Sequence, residues 1–170
     1  LDRSFVVSSE QVLSDSVDIS GKVLVVDGTG HWEAAGTAEY LADRSCQVEL
    51  ITAGPMVGSE LESGTRTLFY RRAAVKGVRL RPGYQLIEIG DHRVAVAATF
   101  SPADAIGWGK YVLMPGDDKW IEGVDWVVAV ISRRSREDLF LRLRQAEAFK
   151  DVRIERVGDC VAPGLIQSAI

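Results

Sequence analysis

The sequence predicts an α/β protein of three layers, with a central parallel sheet and an inserted antiparallel β-meander, and three stretches carry that prediction. Residues 22–26, KVLVV, and 124–131, VDWVVAVI, are almost continuous apolar runs, the pattern of strands buried on both faces of a parallel sheet. Each is followed by a segment of helical periodicity, and parallel strands need such crossovers. Between them, residues 78–100 change to short strands divided by Pro82, Gly83, Gly90 and Asp91, the texture of hairpins.

Taken in order, residues 1–20 form a polar, serine-rich lead-in or linker with one short apolar run at Phe5 to Val7. Ser8 or Ser9 is placed to cap a short helix through Leu13. After the 22–26 strand, Gly28 and Gly30 permit close backbone approaches. Ala34, Ala35, Ala38, Leu41 and Ala42 then recur at helical steps within residues 31–44, and Val48, Leu50 and Ile51 give a second strand. Strand, glycine turn, helix, strand is the first half of a dinucleotide-binding unit, in which a helix N-terminus turns its free amides and positive end toward a pyrophosphate. The expected fold is therefore Rossmann-like.

Gly54, Pro55 and Gly58 break the chain into a loop, and the next helix runs from Ser63 or Gly64 to Lys76. Leu68, Ala73 and Val75 are among its apolar positions; Arg66, Arg71, Arg72 and Lys76 read as a solvated face. VRLRP, YQLIEI and HRVAVAATF supply the meander. Residues 101–123 read as a long loop with room for a strand at Tyr111 to Met114. There, Trp108 and Trp120 are either a stacking platform or aromatic cover for the meander. Residues 136–149 form an amphipathic helix with Leu139, Phe140, Leu143 and Ala146 inward, RIERV a last strand, and 164–170 the start of a further helix. The organisation expected is a lead-in at 1–20, a Rossmann-like domain at 21–157, and at 158–170 a Gly-Asp turn and helix start leading back to a neighbouring domain. Ending in mid-helix, the chain reads as a piece of something longer.

A length of 170 residues suits one domain. A net charge of -4 and a pI near 5.2 argue against nucleic acid or an anionic membrane surface as partner. No apolar run reaches membrane-spanning length and no signal peptide is expected, which points to the cytoplasm. Cys46 and Cys160 lack C-x-x-C spacing and read as reduced thiols; with two histidines, a histidine-rich metal site is excluded.

The glycine fingerprint is incomplete. Glu33 stands where a third glycine would fall, and Thr52 where an acid would read a ribose hydroxyl. Two readings stay open. In one, Gly28, Thr29, Gly30, His31, Trp32 and Thr52 bind NAD(P)H or an adenine nucleotide (ADP or FAD). In the other, the turn serves topology alone and the domain is a ligand-free structural or interaction module. No nucleophile–base pair can be identified, so no catalysis is expected of the chain alone.

The phrases VLVVDGTGHWEAAGTAEYLADR, DWVVAVISRR and VGDCVAPGLIQSAI resemble the second nucleotide-binding-type domain of the two-dinucleotide-binding flavoproteins. Within that group, residues 20–170 most resemble the C-terminal part of the NADH:flavin oxidoreductases with an old-yellow-enzyme-like barrel: trimethylamine, dimethylamine and histamine dehydrogenases and 2,4-dienoyl-CoA reductase. The resemblance implies FMN and a four-iron cluster on an N-terminal barrel outside this chain, an adjoining FAD- or ADP-type domain, and, for the amine dehydrogenases, an electron-transfer flavoprotein as partner. It matches Gly28, Thr29 and Gly30 to the pyrophosphate loop, and Thr52 to the ribose-reading position. Ile131, Ser132 and Arg133 match a threonine-glycine-arginine turn beside the nucleotide, and Asp159 a residue that approaches a flavin ribityl chain. The departures at Glu33, Thr52 and Ser132 favour the amine-dehydrogenase-like branch.

Overall fold

The computed structural model describes residues 3–99 and 120–163. It comprises two compact units, residues 1–131 and 132–170.

Among the described residues the first unit holds eight strands: β1 (Val6–Ser8), β2 (Lys22–Asp27), β3 (Gln47–Thr52), β4 (Arg79–Pro82), β5 (Tyr84–Ile89), β6 (Arg93–Ala98), β7 (Trp120–Glu122) and β8 (Trp126–Val130). Its helices are α1 (Ser9–Leu13), α2 (Trp32–Asp43) and α3 (Ser63–Val75). Five strands make a parallel sheet in the order β1-β8-β2-β3-β4, and β5-β6-β7 make an antiparallel one. The α/β Rossmann-like fold with an inserted meander is thus observed.

Alternation along the central strands explains the layers. Val23 and Val25 of β2, Val48 and Leu50 of β3, and Val128 and Val130 of β8 pack with Val12, Ala34, Ala35, Ala38, Leu41, Phe69 and Ala73 of the helices. The small alanines let α2 lie close on the sheet. Leu24, Ile51 and Val127 point the other way, into a second core with Val94, Val96 and Ile121 of the meander. Helices, parallel sheet and antiparallel sheet are the three layers.

Several expectations need correction. The Phe5 to Val7 run does not lie in a mere connection: β1 pairs with β8 in the register Val7↔Val128, and Val7 is buried. Ser8 caps α1 in a reciprocal box with Gln11, so residues within 1–20 belong to the sheet and the helix layer. VRLRP is not a meander strand but the edge of the parallel sheet. Leu80 packs on the helix-side core, and Arg81 turns to the other face, where it pairs with Glu49 at 2.9 Å. The third meander strand is β7. There the Arg93 guanidinium stacks 4.3 Å over the Trp120 ring, so Trp120 covers the meander. Trp108, the strand expected at Tyr111 to Met114 and the helix expected at 164–170 lie outside the described residues.

In the second unit α4 (Asp138–Gln145) is shorter than the helix expected at 136–149, because Ala146 is extended; a single 3-10 turn, Glu147–Phe149, follows. None of its side chains is fully buried: Leu139, expected inward, is 67% exposed, whereas Phe140, Leu143 and Ala146 are half-buried and the Arg156 guanidinium lies 4.9 Å over the Phe140 ring. RIERV forms no strand. Its charged residues make ion pairs, Arg153 with Glu155 and Arg156 with Glu137, and Val157 is exposed.

Candidate functional site

The carboxyl ends of β2, β3 and β8 lie side by side, because Asp27 is in register with both Thr52 and Val130. Asp27 and Thr52 continue the helix-side rows Val23, Val25 and Val48, Leu50, and Asp27 reaches the turn that leads into α2. This is the crevice in which ligands of open parallel sheets sit. Gly28, Thr29, Gly30, His31 and Thr52 converge on it, as the sequence predicts for a nucleotide site.

The local bonding is that of a turn closed on itself. Asp27, 3% exposed, accepts at Oδ1 from the amides of Gly30 at 2.7 Å and Thr29 at 3.0 Å, and from the Thr29 hydroxyl at 3.3 Å. Its Oδ2 is buried and has no hydrogen-bond partner among the described residues. Thr29 Oγ1 in turn accepts from the His31 amide at 3.4 Å. The amides that would cradle a phosphate are therefore donated to a carboxylate of the chain. Sequence reasoning missed Asp27, although an aspartate directly before Gly-Thr-Gly is the signal of a side chain that folds back on the backbone two residues on.

Both fingerprint glycines are explained by neighbours within the chain. The Gly28 amide donates to the Val130 carbonyl at 2.8 Å, and a Cβ there would stand 3.2 Å from that oxygen and 3.7 Å from Ile131 Cα. Gly30 has φ +72°, its carbonyl accepts from the Glu60 amide at 3.1 Å, and a Cβ would fall 2.3 Å from Ser59 Oγ. The loop before α3 thus lies against the turn and brings Glu60 beside it.

The remaining predicted residues serve the fold as well. His31 is the N-cap of α2 in extended conformation, and its side chain makes no capping bond. Trp32 does not cover the turn. Its indole lies back over Gly36, edge-on to Phe69 at 6.3 Å, with the Arg72 guanidinium 5.6 Å from its ring centre. Glu33 accepts from the Ser9 hydroxyl at 2.7 Å and ties α2 to α1. Thr52 is buried, and its Oγ1 accepts from the Gly54 amide at 3.3 Å. Ser132, Arg133 and Asp159 fall in the second unit, where all three are exposed and Asp159 sits in a 3-10 turn, Gly158–Cys160.

A pyrophosphate does not fit this turn. The Asp27 carboxylate already holds the Thr29 and Gly30 amides, and Glu60 beside Gly30 and Glu33 in the first turn of α2 add like charge nearby. Nor do the described residues include any group of three or more His, Cys, Asp or Glu side chains suited to a metal. No helix among them is long and apolar enough to cross a membrane.

Comparison with known proteins shows a likeness of fold along nearly the whole chain and of sequence along part of it. No family model matches the chain. Over 98 residues it is 32% identical to an N,N-dimethylglycine/sarcosine dehydrogenase of Chromohalobacter salexigens, a match covering 56% of this chain and 14% of that protein. The fold is similar to 6-hydroxypseudooxynicotine amine oxidase from Pseudomonas geniculata N1 (TM-score 0.79, 23% identity, 99% of this chain and 23% of that one). It is also similar to histamine dehydrogenase from Rhizobium sp. 4-9 (TM-score 0.78, 23% identity, 96% and 24%), and to 2-naphthoyl-CoA reductase (TM-score 0.71, 20% identity, 99% and 22%). The chain spans under a quarter of the length of each of these proteins.

Proposed function

We propose that this chain is the C-terminal nucleotide-binding-type domain of an amine-dehydrogenase-like NADH:flavin oxidoreductase, and that its former nucleotide turn is now architectural. The observation that carries the second part is the use of both fingerprint glycines by the chain itself: Gly28 against Val130 and Ile131, Gly30 against Ser59 and Glu60. The second glycine of a dinucleotide turn leaves room for the pyrophosphate to approach the backbone, whereas Gly30 gives that room to Ser59 and Glu60. The likeness to an amine oxidase and to histamine and sarcosine dehydrogenases supports the first part.

On this reading the parent protein is cytoplasmic and carries FMN and a four-iron cluster on its barrel. The two cysteines here, Cys46 and Cys160, are too few to hold such a cluster. The domain packs against the barrel and an FAD- or ADP-type domain, leaves electron transfer to an electron-transfer flavoprotein, and turns over no substrate by itself. The test is thermal unfolding of the chain with NADH, NADPH, ADP and FAD added singly. A ligand at one hundred times its Kd adds about 2.7 kcal/mol, a rise of roughly 5 to 11 °C for a domain of this size. The expected result is no rise at millimolar ligand. A rise with NADH or NADPH would restore the nicotinamide-binding, reductase-like reading.

A further inference from the structure

We infer that Asp27 is the residue that makes this glycine turn reject dinucleotides: its carboxylate is a resident anion seated on the amides that would otherwise take a pyrophosphate. The inference rests on the reading of the turn as architectural and names the group responsible. Two independent features place the carboxylate there. Its Oδ1 receives the Thr29 and Gly30 amides at 3.0 and 2.7 Å, directly before α2, a helix of twelve residues whose N-terminal end favours negative charge. Its Oδ2 is buried with no donor among the described residues, so what these residues offer the carboxylate is the pair of amides at Oδ1.

The position in the sheet explains why one side chain suffices. Asp27 is the central residue of the row Thr52, Asp27, Val130 that ends the three middle strands. A group at that point is covered by the turn above and by strands on both sides. Thr52 spends its own oxygen on Gly54 and leaves the Asp27 seat unchallenged. Glu60, whose backbone N–H donates a hydrogen bond to the Gly30 carbonyl, adds like charge beside the turn, while the Thr29 and Gly30 amides donate to Asp27. The hierarchy is therefore specific: removing Asp27 vacates the seat, whereas removing Glu60 only lowers the charge beside it.

The experiment titrates inorganic pyrophosphate, by calorimetry, into the 170-residue chain and its Asp27→Ala, Asp27→Asn and Glu60→Gln variants. The expected result is no saturable binding by the parent chain and an affinity at least tenfold tighter in Asp27→Ala. Asp27→Asn, which keeps an acceptor on the same amides, and Glu60→Gln should each gain less. Equal, non-saturable responses from all four chains would overturn the role of Asp27 while leaving the architectural reading intact. Saturable binding by the parent would overturn both. Should Asp27→Ala not fold, the Gly30 amide proton decides: it should lie downfield in the parent and move upfield in Asp27→Asn, and an unmoved resonance would refute the charged contact.

Discussion

Asp27 and Thr52 stand in register at the carboxyl ends of β2 and β3, and each turns its side chain oxygen onto an amide of the turn that follows it. Where a dinucleotide site leaves backbone N–H groups open to a ligand, these two strand ends satisfy their own. The consequences can be measured at several places.

Gly30 and Gly77 separate conformation from contact. Both have φ +72°, but a Cβ at Gly30 would meet Ser59 Oγ at 2.3 Å, whereas nothing lies within 4 Å at Gly77. Gly77→Ala should cost about 1 kcal/mol, the strain of a left-handed alanine, and Gly30→Ala about 3 kcal/mol because the loop must also move. Adding Ser59→Gly to Gly30→Ala should recover much of the difference. Urea midpoints measure both; equal costs would show that the loop does not rest on the turn.

Glu49 and Arg81 form a buried ion pair on the meander side, with side chains 8% and 11% exposed and the guanidinium 4.4 Å over the Tyr84 ring. Either Glu49→Ala or Arg81→Ala should destabilise by about 3–5 kcal/mol, because one charge is left buried without its partner. Replacing both by Leu and Met should cost far less. A double-mutant cycle by chemical unfolding tests the coupling, and additive losses would contradict it.

The acid side of the stability profile is set in part by two exposed carboxylates. Glu62 accepts the Gly64 and Thr65 amides at 2.9 Å each, and these bonds hold its carboxyl below the ordinary range. The Tyr40 hydroxyl, and then the Arg44 guanidinium, do the same for Asp15. A folded-state value below the unfolded one stabilises fully above the unfolded value, about 4 for these groups, and the contribution fades as pH falls through the folded value. Urea midpoints should hold level from about pH 7 to 5 and decline below about 4, with a shallower decline in Glu62→Gln. An identical decline in that variant would remove Glu62 from the explanation.

The thiols should differ sharply. Burial pushes the Cys46 thiol up, and its S–H points to the Ile19 carbonyl at 3.6 Å, while Cys160 is half-buried. A thiol-specific reagent should label Cys160 in the native protein and Cys46 only on unfolding. Native labelling of Cys46 at a comparable rate would show that the β3 end of the core is open.

The fold was legible where burial speaks through periodicity. KVLVV, the alanine-spaced helix and VDWVVAVI are one-sided or two-sided apolar patterns, and these elements form as read. Val6–Ser8 and Arg79–Pro82 were harder, because edge strands bury little and their membership depends on partners distant in sequence, β8 and β3. Of the site, the converging residues at 28–31 and 52 were readable from spacing. Their bonding was not: Gly28 and Gly30 look the same whether they face a ligand or Val130 and Ser59, and only tertiary contact distinguishes the two. Asp27 carried a local turn signal, but its burial depends on the strands beside it.

The most direct measurement is the amide spectrum of Thr29 and Gly30 in the intact chain during titration with NADH. If Asp27 fills the turn, both amides are protected from exchange before any ligand is added, and neither shifts up to millimolar NADH. Saturable shifts at these two residues, with faster exchange in the free protein, would contradict the claim that the chain occupies its own nucleotide turn.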